Sequence, residues 1–83
     1  MIVIGTDTYK LSHTCGAVDA GTGQVAGELT AAAREPGFRE LLDWGRELDG
    51  ERIWALEDCR HVSGALERFL VDHGERAFAS RRS

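Results

Sequence analysis

Two carboxylates stand out by position in this 83-residue chain. Asp7 follows the apolar run Ile2-Val3-Ile4, and Glu57 closes a second one, Ile53-Trp54-Ala55-Leu56. Each run is short and continuous, as in strands buried on both faces. In open α/β sheets the functional crevice lies beyond the carboxyl ends of the parallel strands. Paired strands lie about 4.8 Å apart, so acids at matching heights can meet. Like charges that close repel unless a cation neutralises them. Oxygen-only ligands suit Mg²⁺ or Mn²⁺, and paired ions of this kind stabilise the attacking and leaving oxygens of phosphoryl transfer. The pattern alone leaves a second reading open, with Asp7 as a turn acid and Glu57 as a solvated strand end. Asp58, next to Glu57, is expected to point away from it or to cap the following helix.

The remaining candidates carry less. His13, His61 and His73 lack metal-ligand spacing with Cys15 or Cys59. His13 is expected on an outer hairpin face, and His73 at a helix end where a cation suits the dipole. His61 lies near Cys59 and Glu57, but spacing without a second ligand pair is unspecific, so a place outside any site is the simpler account and a minor part in one the alternative. Cys15 is expected to pack as a small hydrophobe, and Trp44 and Trp54 to fill the core. Lys10 beside Asp7, and Arg81-Arg82 near the chain end, are candidate contacts to a phosphate backbone. A solvated chain end is the simpler account of the two arginines.

The elements that must position these groups follow from periodicity. Ile2-Val3-Ile4 predicts a strand. Residues 11–19 alternate in part, with Leu11, Cys15 and Ala17 on one parity, and residues 24–30 alternate again. Between them Asp19-Ala20-Gly21-Thr22-Gly23 is a dense turn signal, so the two segments read as a hairpin. Glu35-Pro36 then opens a helix, because Pro is tolerated in the first turn. Phe38, Leu41, Leu42, Gly45 and Leu48 share one helical face, and Asp49-Gly50 ends it. After the strand Ile53–Leu56, a second helix is expected with Val62, Ala65, Leu66, Phe69 and Leu70 inward, capped by His73-Gly74. Ala77-Phe78-Ala79 makes a last strand. The order βββαβαβ predicts an α/β domain with a mixed sheet, in which the first strand and Ile53–Leu56 lie parallel as neighbours.

Composition bounds the function. The chain allows one small domain over residues 1–83, with a thin core. No stretch approaches a membrane span, and the N-terminus lacks the basic segment of a signal peptide. Two cysteines without CxxC spacing make no disulfide framework, so the cytoplasm is the expected compartment. Net charge is −4, which excludes a strongly basic nucleic-acid footprint over the chain as a whole. Charge is uneven: residues 31–58 hold four basic and eight acidic residues, whereas residues 59–83 hold five basic and three acidic.

Two segments resemble the start of the DEDD transposases of bacterial insertion sequences, the Piv/MooV-type enzymes. These are Val3-Ile4-Gly5-Thr6-Asp7-Thr8-Tyr9-Lys10 and the hairpin Ala17-Val18-Asp19-Ala20-Gly21-Thr22-Gly23-Gln24-Val25. The stretches 37–44, 52–57 and 64–70 continue the resemblance in order. It implies a ribonuclease H-like (RuvC-like) fold whose C-terminal part is missing, and an Asp-Glu-Asp-Asp tetrad that holds divalent metal and cuts or rejoins DNA. Asp7 matches the first Asp and Glu57 the Glu. The other two acids, and the family's C-terminal domain with its serine nucleophile, are expected beyond residue 83. The implied cofactor is Mg²⁺ or Mn²⁺ and the implied partner is DNA, with a guide RNA and a homo-oligomer as further candidates and no membrane. Tyr9 stands where members often have His, and Asp58-Cys59-Arg60-His61 replaces a small, Gly- and Ser/Thr-rich segment.

On this reading the chain is the N-terminal fragment of a transposase or site-specific recombinase, with half of its catalytic site. The alternative from another class is a non-catalytic fragment that binds or oligomerises through an exposed sheet edge. A second resemblance, of Gly5-Thr6-Asp7-Thr8 to the phosphate loop of actin-like ATPases and sugar kinases, is weakened by Thr8-Tyr9. In those families a Gly-Thr pair usually follows the Asp so that backbone amides approach phosphate.

Overall fold

In the computed structural model, which describes residues 1–48, 50–58 and 63–81, the first strand β1 (Ile2–Thr8) alternates strictly. Ile2, Ile4, Thr6 and Thr8 are buried, while Gly5 and Asp7 are exposed. The strand therefore extends four residues past its apolar start, because threonines at the inward positions keep the β-branched pattern going. β2 (Ser12–Asp19) and β3 (Val25–Ala32) form the expected hairpin, and α1 (Glu35–Glu47), β4 (Arg52–Asp58), α2 (Gly64–Asp72) and β5 (Ala77–Arg81) complete the order. The five strands make one mixed sheet, β3-β2-β1-β4-β5. β2 runs antiparallel to both neighbours, and β4 runs parallel to β1 and β5. The expected parallel pairing of the first strand with Ile53–Leu56 is thus present.

Both helices cover the same face of the sheet. Phe38, Leu41, Leu42 and Gly45 of α1 and Leu66 and Leu70 of α2 are buried against Ile4, Cys15, Ala17, Trp54 and Leu56. Glycine makes two close approaches possible. A Cβ on Gly37 would collide with the Ala32 backbone, and one on Gly45 would stand 2.5 Å from the Trp54 ring. Trp54 is fully buried; its Nε1–H donates to Glu75 Oε1 at 2.9 Å. Arg52 clasps the same carboxylate with two hydrogen bonds of 2.7 Å. Burial alone would push the Glu75 carboxyl up, but Arg52, Trp54 and the more distant Arg46 outweigh it and hold it below the usual range. This network ties the start of β4 to the segment before β5.

Several expectations are corrected. Among the described residues helices lie on one face alone, so the apolar runs are not buried on both faces, and Val3, Ile53 and Ala55 are half-buried. Leu11 lies outside β2 and is 82% exposed, whereas His13, not an outer residue, is buried on the inner parity with Cys15 and Ala17. Ser63, not Asp58, occupies the N-cap position of α2. Ala65 is exposed, because α2 turns only Leu66 and Leu70 fully inward. Val62 and Asp49 lie outside the described residues. Among the described residues no helix is long and apolar enough to cross a membrane.

Candidate functional site

The uncovered face of the sheet is built by the odd positions of β1 and their lateral partners. Asp7 is registered beside Thr14 on β2 and beside Glu57 on β4, and Glu57 is registered beside Ser80 on β5. Thr14 in turn pairs with Thr30, and their hydroxyls lie 2.9 Å apart. One polar row, Thr30–Thr14–Asp7–Glu57–Ser80, therefore crosses all five strands near the carboxyl ends of β1, β4 and β5. The next row is Glu28–Gly16–Gly5–Ala55–Phe78. Its three small central residues sink the surface into an open depression of about 570 Å³, bordered by Asp7, Glu28, Glu57, Phe78 and Ser80. Among the described residues nothing stands within 4 Å of where a Gly16 Cβ would be, and the Gly16 carbonyl oxygen, at 4.0 Å, is the sole atom near one on Gly5.

The two sequence-predicted acids are thus brought together. Neighbouring strands put their Cα atoms about 4.8 Å apart, and strand alternation puts both side chains on the open face. From the buried face, the Thr8 hydroxyl donates to the Glu57 carbonyl oxygen at 2.6 Å. That bond locks the ends of β1 and β4 in register directly beneath the carboxylates. Thr6, one position inward from Asp7, shares a 3.1 Å hydrogen bond with the Cys15 sulfur. The Cys15 thiol is pushed up to about 11, first by burial and then by the negative charge of Asp7, with the Thr6 contact opposing. So Cys15 is a packed, unreactive thiol, as expected of a small hydrophobe, and it feels the Asp7 carboxylate through the sheet.

Lys10 is exposed in the turn after β1. Arg81 ends β5 with its backbone opposite Asp58, and Arg82, Cys59, Arg60 and His61 lie outside the described residues. His73 accepts a structural place at the end of α2, its Nδ1 2.7 Å from the Phe69 carbonyl oxygen. Among the described residues no three His, Cys, Asp or Glu side chains converge on one point. The donor set is two carboxylates. Mg²⁺ is commonly held by one or two carboxylates with water and substrate phosphate completing its octahedron, so the pair fits a half-built site for such an ion. Sequence reasoning missed Thr8, Glu28 and the glycine pair. The glycines carried a signal, since Gly inside a strand often marks close approach of a ligand or backbone.

Comparison with known protein families gives no match, and no curated protein is similar to the chain at a significant level.

Proposed function

We propose that this chain supplies the two-carboxylate half of a divalent-metal site for phosphoryl transfer on DNA, within a ribonuclease H-like domain of the DEDD transposase or recombinase type. The observation that carries the reading is the registration of Asp7 beside Glu57 on the open face of adjacent parallel strands. The strand order β3-β2-β1-β4-β5, with β2 alone antiparallel, supports the fold assignment.

The residues divide the work as follows. Asp7 and Glu57 offer hard oxygen ligands, and a bound Mg²⁺ or Mn²⁺ would supply Lewis-acid stabilisation of phosphoryl oxygens. Thr8 fixes the backbone that carries Glu57. The small floor of Gly5, Gly16 and Ala55 leaves room for a substrate backbone to lie against the sheet. Among the described residues two carboxylates do not complete a two-metal centre, so weak ion binding and no cleavage of DNA are the expected behaviour of the pair alone.

The test is calorimetric titration of Mg²⁺ and Mn²⁺ into the protein and into Asp7→Asn and Glu57→Gln. Weak binding that both substitutions reduce is the expected result. Equal heats from all three proteins would remove the pair from any metal site, and metal-dependent nicking of DNA by a clean preparation would refute the half-site. A second reading, a binding or assembly module without chemistry, is favoured by Phe78, which is 49% exposed on the same face. Concentration-dependent dimerisation lost in Phe78→Ser, with no metal binding, would select it.

A further inference from the structure

The turn that joins β1 to β2 presents three consecutive exposed side chains, Tyr9, Lys10 and Leu11. Tyr9 is 58% exposed and Leu11 is 82% exposed, the most open of the large apolar residues described. The exposure is not that of a loose loop. The Tyr9 N–H donates to the Ser12 carbonyl at 3.0 Å, and the Ala33 N–H donates to the Leu11 carbonyl at 2.9 Å. The tip is pinned at one end to β2 and at the other to the chain leaving β3. It lies at the end of the sheet where Asp7 and Glu57 sit, and Tyr9 is two residues beyond Asp7, the first past the end of β1.

We propose that this tip is a stacking platform for an unpaired nucleobase, with Tyr9 under the base, Leu11 as an apolar flank and Lys10 on the adjoining phosphate. The inference deepens the proposed function and rests on it for the course of the nucleic-acid strand past the two carboxylates. Three observations select the partner. An aromatic face beside an ammonium group matches a base joined to a phosphate, and such stacking tolerates any base. Three side chains are too small a patch for a stable protein interface, which needs about 1,000 Å². A broad anionic lipid surface would have to lie across Asp7, Glu28 and Glu57 on the open face as well, whereas a single strand can meet the tip through one base and one phosphate and pass the acids only where a divalent cation lies between. A duplex keeps its base faces covered by neighbours, so the platform selects single-stranded or frayed ends.

The test is fluorescence anisotropy of a labelled mixed-sequence single strand and of its duplex, in Mg²⁺ and in EDTA. The proteins are the full chain, Tyr9→Ala, Tyr9→Phe, Lys10→Gln and Asp7→Asn, with thermal unfolding to confirm that each folds. The single strand should bind more tightly than the duplex. Tyr9→Ala should weaken single-strand binding about tenfold or more and leave duplex binding unchanged, while Tyr9→Phe should bind as the parent does. Lys10→Gln should make the affinity less sensitive to salt. Equal affinity of Tyr9→Ala and the parent, an equal loss on single strand and duplex, or failure of Tyr9→Phe to retain binding would each overturn the proposal. So would absence of single-strand binding by the parent. Calorimetric metal binding by Tyr9→Ala separates the two readings. Intact metal binding with no Tyr9 dependence sinks the platform alone, whereas Tyr9-dependent binding in EDTA by a protein that takes up no metal sinks the metal site alone.

Discussion

The two faces of the same sheet carry opposite contents. Along β1, the even positions Ile2, Ile4, Thr6 and Thr8 are buried under α1 and α2, while Gly5 and Asp7 face outward. Along β4, Trp54 and Leu56 are buried, while Ala55 and Glu57 border the depression. One face is packed so closely, against the Ala32 backbone at Gly37 and the Trp54 ring at Gly45, that neither glycine tolerates a Cβ without displacement. The other leaves room at Gly5 and Gly16 and sets acids beside them. A strand with period two can serve both purposes at once, because neighbours along the chain never share a face. The lesson is that stability and candidate chemistry are separable here by parity, and substitutions can test that separation.

The largest effect should come from the covered face. Leu41 is fully buried, and Leu41→Ala should cost about 2–5 kcal/mol in urea unfolding, a large share of the stability of a domain this small. Asp7→Asn on the open face should stay within about 0.5 kcal/mol of the parent. Equal losses from the two would abolish the contrast. Glycines sharpen it next. Gly37→Ala must push α1 off the end of β3 and should cost about 1–3 kcal/mol or more. Gly16→Ala meets nothing within 4 Å and should be neutral, or stabilising by about 0.4–1 kcal/mol through the unfolded chain.

Acid gives a smaller and graded effect. His13 is 1% exposed, stacked on Phe38 with ring centroids 5.9 Å apart, and among the described residues its ring nitrogens make no hydrogen bond of good geometry, the Ser12 backbone being at best a weak, misaligned neighbour. Burial lowers its proton affinity, only partly offset by the Ser12 backbone. The folded protein therefore binds fewer protons than the unfolded one, and stability present above about pH 6.5 is lost as pH falls below it. Glu75, held below the usual carboxyl range, contributes stability above its ordinary value near 4.5 and loses it only at lower pH. Thermal unfolding followed between pH 7 and pH 5 should fall in the parent and flatten in His13→Phe. An unchanged slope in that variant would show that His13 is not the group responsible.

Much of this arrangement was legible in the sequence. The period of Phe38, Leu41, Leu42 and Gly45 marked the buried side of α1, and the two apolar runs marked the central strands that bring Asp7 and Glu57 side by side. Local periodicity is sufficient there because both strands are specified by their own residues. The rest depends on contacts distant in sequence. Arg52 and Glu75 meet across 23 positions only because β4 and β5 become neighbours. The outer place expected of His13 gives way to a buried one, because strand parity prevails over the polarity of imidazole when Thr8 and Ala31 flank the position in register. The bare face was illegible because a short apolar run looks the same whether one side or both will be covered.

The central claim is that Asp7 and Glu57 together hold a hard cation on the open face. Paramagnetic broadening by Mn²⁺ in an amide-resolved NMR spectrum tests it most directly. The account predicts that substoichiometric Mn²⁺ broadens the amides around Asp7 and Glu57 first, that those of α1 and α2 stay sharp, and that Asp7→Asn abolishes the effect. Broadening centred elsewhere, or unchanged in Asp7→Asn, would contradict it.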